Sequence, residues 1–91
     1  MNKVILGSIS MDLKRVAMGY FRGSHTTADR FLLEAQRRKD EIDSEKLSPY
    51  LQRLFKSLDK LSLENDLDKK AEDALMYSTL FQNAALLKKG V

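Results

Sequence analysis

Apolar side chains return along this chain at helical spacing. Leu13, Val16, Ala17 and Tyr20 follow i, i+3, i+4, i+7, the signature of an amphipathic helix. Ser8 or Ser10 supplies an N-cap and Asp12 sits favourably in the first turn. Arg22 closes the last turn, and Gly23 is a natural residue just beyond it. Gly19 falls inside this pattern and costs about 1 kcal/mol against alanine. It either permits a close helix crossing or marks early fraying, and fraying is the favoured reading. Upstream, Val4-Ile5-Leu6 is the one β-prone triplet. A lone strand has nothing to pair with, so it reads as an extended arm laid on the bundle.

Ser24 to Thr27 form a polar turn, with Thr26 or Thr27 as a cap and Asp29 three residues after Thr26. A second helix follows with Ala28, Phe31, Leu32, Ala35 and Ile42 on one face. Its stripe is interrupted at Arg38 and Lys39, whose long stems can still lie along apolar surface. Ser48-Pro49 is the clearest boundary: serine suits the cap, and proline suits the first helical position, where its missing N–H is not needed. Leu51, Leu54, Phe55, Leu58 and Leu61 make the third stripe. Asn65 caps the fourth helix, with Asp66 and Asp68 at its positive end. That helix is expected to run to Lys88 and Lys89 and to stop at Gly90.

The fourth helix contains the chain's most telling stretch. From Ala74 to Leu87, fourteen residues pass without a charge, although 32% of the protein is charged. Two apolar stripes run along it. One is Leu67, Ala71, Ala74, Leu75, Phe81 and Ala85; the other is Met76, Leu80, Ala84 and Leu87. A surface helix keeps one charged face, so both faces of this one are expected to be covered. One stripe serves the core, and the other lies under the first helix and the arm or faces another copy. The expected fold is all-α: a compact antiparallel bundle of about four helices with a short extended N-terminal arm, one domain over residues 1–91.

Composition narrows the chemistry more than it names a function. There is no cysteine and one histidine, so disulfides, thiolate metal sites and multi-histidine sites within one chain are excluded. No metal or other cofactor is expected. The uncharged stretch is shorter than the roughly 20 residues that span a bilayer, and the start of the chain lacks a signal-peptide pattern. The chain therefore reads as soluble and cytoplasmic, with no membrane span. No Gly-rich phosphate loop, nucleophile elbow or triad is available, and no enzymatic activity is expected.

His25 is the obvious catalytic candidate, because histidine titrates near neutrality. Its setting is similar to the phosphoacceptor helix of sensor kinases only in the pair Ser24-His25. Thr26 stands where those proteins carry an acid, and no proline follows nearby. It reads as a solvated or capping histidine. The carboxylate clusters at residues 40–45 and 66–73 lack the central glycine of a calcium loop and read as helix-start acidity and solvated faces.

The net charge of +3 is unevenly placed. Residues 1–39 hold eight basic and three acidic groups; residues 40–91 hold eight basic and ten acidic. Such halves pair within a fold, pair between copies, or meet an acidic partner. The expected function is a protein–protein interaction domain (adaptor, assembly or regulatory) acting through an apolar helix face, with a homodimer and an unknown protein as partners. The interface would use Met11, Met18, Met76, Tyr77, Leu80, Ala84 and Leu87. Met11 and Met18 lie opposite Leu13 and Tyr20, and methionine suits adaptable surfaces. The alternative is a nucleic-acid-binding regulator using Arg30, Arg37, Arg38 and Lys39.

Overall fold

The computed structural model describes residues 2–43 and 47–86. Its elements are α1 (Asn2–Phe21), α2 (His25–Asp40), α3 (Pro49–Ser62) and α4 (Leu67–Leu86), and no strand forms among the described residues. The result is an all-α bundle. α1 packs most extensively against α4 and next against α2, while α3 touches α4 and α2 more lightly. No helix is long and apolar enough to cross a membrane.

The expected N-terminal arm is instead helix, and α1 runs unbroken from Asn2. Leu6 and Ile9 extend the Leu13, Val16, Tyr20 stripe backward by two turns, and both are fully buried. That burial outweighs the weak β preference of Val4 and Ile5. Ser10 and Asp12, expected near a helix start, therefore lie mid-helix and buried.

Helix ends follow local chemistry where that chemistry is strong. The Ser48 hydroxyl accepts from the Leu51 N–H at 3.4 Å, with Pro49 in the first helical position. Gly23 carries a positive φ of 78°, the left-handed geometry that ends a helix cheaply only with glycine. Two caps differ from expectation. α2 begins one residue before Thr26, with Ser24 flanking it. α4 is capped by Asp66, whose carboxylate accepts from the Lys69 N–H at 3.2 Å, rather than by Asn65. The expected stop at Lys88 to Gly90 lies outside the described residues.

Gly19 resolves in favour of the close crossing. A methyl group there would stand 2.9 Å from the Ala28 Cβ and 3.1 Å from its Cα and N, so only glycine lets α1 and α2 approach this far. Farther along the pair, Arg38 Nε donates to buried Asp12 at 2.8 Å, which holds α1 and α2 antiparallel. α1 and α4 are also antiparallel. Ser10 and Ser78 exchange hydrogen bonds, each hydroxyl donating to the other residue's carbonyl at 2.7 and 2.8 Å. One end farther on, the Lys70 ammonium lies 5.4 Å from the Tyr20 ring centroid.

All five residues of the α3 stripe are buried, as the sequence predicts. Phe55 stacks on Phe81 of α4 with ring centroids 5.9 Å apart. α4 departs from its two predicted stripes. It buries Lys70, Ala71, Ala74, Ser78, Phe81 and Ala84 on a single face, while Leu67, Leu75 and Met76 are exposed. Freedom from charge therefore does not mean burial on both sides. The expected coverage of the whole helix is corrected to coverage of one face.

Candidate interaction surface

The outer half of α1 is built from few residue types. Val4, Met11 and Met18 recur every seven residues along its centre, and all three are exposed. At about 100° per residue, Lys3 and Lys14 fall to one side of this stripe, and Arg15 and Arg22 to the other. The single carboxylate of the helix, Asp12, is turned inward against Arg38 and, at 3.6 Å, the guanidinium of Arg15. The exposed face of α1 is thus an apolar stripe edged by cations. Lys3, Lys14 and Arg22 form no ion pair among the described residues, whereas Arg15 also lies 5.3 Å from the Phe31 ring centroid.

Beside this face runs a groove of about 440 Å³ between α1 and α4. Ser10, Met11 and Lys14 line it from α1; Leu75, Ser78, Thr79 and Gln82 line it from α4. Its floor is the Ser10–Ser78 pair. Small hydroxyl residues at that level let the two backbones come close, and the larger side chains on either side form the walls. A second concavity, of about 390 Å³, adjoins it on α1 and is lined by Met11, Lys14, Arg15, Met18 and Arg22. Neither lining contains a carboxylate.

The seven residues expected at an interface are not brought to one place. Met11 (56% exposed) and Met18 (38%) share the outer face of α1. Met76 is 48% exposed but is absent from the groove lining; it lies about 100° around α4 from Leu75. Tyr77 and Leu80 are partly buried against the core. Ala84 is a correction: it is 1% exposed and belongs to the core, because its small side chain sits on the inward arc with Phe81 and Ala74. Leu87 lies outside the described residues. Leu75 was missed as a surface residue because its spacing from Ala71 also suits a core stripe. No signal in the sequence separates the two placements.

The alternative basic cluster is largely occupied by internal partners. Arg37 donates to Glu34 at 2.6 Å, Arg38 to Asp12 at 2.8 Å, and Lys39 to Asp59 at 2.5 Å. The Arg37 hydrogen bond holds the Glu34 carboxyl below its ordinary range. Arg30 is exposed and forms no ion pair among the described residues.

His25 opens α2 on the surface, its ring centroid 5.8 Å from that of Tyr20. Tyr20 donates its hydroxyl to Asp29. Burial first, then that hydrogen bond and the Asp29 charge, push the phenol well above its ordinary range. A phenol held neutral on a carboxylate, with Lys70 against its ring, ties three helices together and offers no activated nucleophile. Among the described residues, no group of three or more His, Cys, Asp or Glu stands where it could hold a metal ion. No protein-family model, curated protein or solved structure matches the chain.

Proposed function

We propose that this chain is a non-enzymatic interaction domain whose outer helix surfaces dock other helices, and that α4 is the surface through which it self-associates. The observation that carries the reading is the outer face of α4 beyond its first two turns, which carry the exposed acids Asp68 and Glu72. Leu75, Met76, Thr79, Gln82, Asn83 and Leu86 are exposed there without one charge among them. Exposed large apolar groups on a charge-free face are costly to leave in water. A symmetric contact between two copies of that face sets no like charges against each other. The pairing of Arg37, Arg38 and Lys39 within the fold leaves less free charge on α2 for a nucleic-acid reading.

One three-turn helix face supplies less than the about 800 Å² per partner of a stable dimer, so the association is weak and concentration-dependent. Light scattering on the purified protein tests it. The mass is expected to rise from monomer toward dimer across the micromolar range, and Met76→Glu is expected to hold it at monomer. A strict monomer at several hundred micromolar rejects self-association.

A further inference from the structure

We propose that the outer face of α1, with the groove it shares with α4, is a docking site for an acidic amphipathic helix of a partner protein. This rests on the reading of the chain as an interaction domain; the groove shares Leu75, Thr79 and Gln82 with the self-associating face of α4 but leaves out its other flank at Met76.

Three observations define the occupant. First, the apolar contacts repeat every seven residues: Val4, Met11 and Met18. That is the period at which one helix meets another along a seam. Helix-in-groove recognition needs a row of this kind, and methionine adapts to the side chains it meets. Val4 to Phe21, the end of α1, covers about 26 Å of helix at 1.5 Å per residue, enough for a partner helix of four to five turns. Second, the surface is concave. The groove between α1 and α4, lined by Met11, Lys14, Leu75, Thr79 and Gln82, borders a second concavity formed beside Met11 and Lys14 by Arg15, Met18 and Arg22 without any α4 residue. The trough between the two antiparallel helices accepts a third cylinder along its Met11–Lys14 side, from which that cylinder also reaches the Met18 concavity.

Third, the charge is one-sided. Lys3, Lys14, Arg15 and Arg22 edge the stripe, and the helix's only carboxylate is buried. The α4 wall contributes Leu75, Thr79 and Gln82, all neutral. Its acids Asp68 and Glu72 lie in the first two turns of α4, outside both linings. A second copy pairing through this α1 face would set cation against cation, which costs rather than gains. A helix carrying carboxylates on both sides of an apolar row meets cations on both sides and apolar groups at the centre. The proposed partner therefore carries Leu, Ile or Met at i, i+3 or i+4, and i+7, with Glu or Asp flanking them.

The methionines report the binding. In protein labelled with ¹³C at the methionine methyls, Met11 and Met18 lie on the proposed site, and Met76 lies on the other flank of α4. The probe is a synthetic 18-residue amphipathic peptide with a Leu row and Glu flanks. Its Lys-flanked counterpart, vesicles containing phosphatidylserine and a 20-mer of single-stranded RNA are run in parallel. The Glu peptide is expected to shift the Met11 and Met18 methyls with micromolar affinity while leaving Met76 in place. Binding is expected to weaken by about ten-fold in the double variant K14E/R22E, and also as salt rises.

Both substituted side chains are exposed, so the variant keeps its fold, and an unchanged Met76 signal verifies this. The proposal is overturned if the Glu peptide moves neither methyl at 1 mM. It is equally overturned if the Lys peptide binds as well, or if only the vesicles or the RNA perturb the site. Self-association is read separately, at Met76 and by scattering, so either reading can fail while the other stands.

Discussion

α1 and α4 have the same length, 20 residues each, and lie antiparallel against one another, yet they divide their side chains in opposite ways. α1 packs its core face with large aliphatic groups: Leu6, Ile9, Leu13 and Val16 are all fully buried, while Val4, Met11 and Met18 line its outer face. α4 buries mostly small ones, Ala71, Ala74, Ser78 and Ala84 around the single large ring of Phe81. Its Leu75, Met76 and Leu86 remain exposed. Charge tracks neither division. α1 carries cations over a buried half-cylinder of aliphatic groups, and the charge-free part of α4 is open to water on one side. Burial in a short bundle is set by which face meets a neighbour, and a small residue on that face brings the neighbour closer than a large one would.

The sharpest way to break this contrast is one substitution made on both helices. Leu13→Ala opens a cavity in the α1 core face and is expected to cost about 2–5 kcal/mol. Leu75→Ala, made on an exposed position, is expected to stay within about 0.5 kcal/mol. Denaturant titration of the two variants decides: equal losses would mean that α4 is covered on both faces after all.

A smaller effect tests the close approach of the two helices. Ser78→Leu inserts bulk where Ser10 and Ser78 exchange hydrogen bonds. It is expected to cost about 2–3 kcal/mol through overpacking and the lost hydroxyl contact. Full stability in that variant would show that α4 tolerates large groups on its inner face.

The smallest effect lies where α1, α2 and α4 meet. Tyr20→Phe removes the hydrogen bond to Asp29 and is expected to cost about 1 kcal/mol near neutral pH. The folded phenol has its pKa raised, chiefly by burial. Its contribution is therefore complete below the unfolded value of about 10 and is lost as pH climbs from there toward the folded value. Wild-type unfolding followed from pH 8 to 11.5 is expected to show a drop above about pH 10 that is smaller in Tyr20→Phe. Parallel curves for the two proteins would remove Tyr20 as the source.

Local signals carried the parts of the fold that depend on local chemistry. Ser48-Pro49 and the leucine stripe of α3 are read directly, because a cap, a proline at the first helical position and a 3.6-residue period need no knowledge of the neighbours. Gly23 is legible for the same reason. The arm was misread because Val4-Ile5-Leu6 is β-prone by itself. The i+3 and i+4 continuation from Leu6 through Ile9 to Leu13 becomes persuasive only once α4 is there to cover it. Gly19 was ambiguous because fraying and close crossing look alike without Ala28 opposite.

The surface was harder still. Met11 and Met18 are legible as lying opposite the core stripe of α1. Leu75 and Met76 are adjacent in sequence but about 100° apart on the helix, and each fits an apolar stripe. The direction of α1 decides which flank forms a groove. The pairing of Arg38 with Asp12 joins residues 26 apart, and nothing in either neighbourhood announces it.

The contact between Ser10 and Ser78 spans 68 positions of the chain. A helix with a long aliphatic inner face is thus the first of the four to be synthesised, and it is covered by the last. Until α4 has left the ribosome, Leu6, Ile9 and Leu13 have only part of their shelter. Closure must bring distant segments together, which slows folding relative to bundles that pair neighbours alone. It also lengthens the interval in which aggregation competes. The α1–α4 seam is where a nascent chain of this protein is most exposed, and a stop before α4 would be more damaging than the length of the missing piece suggests.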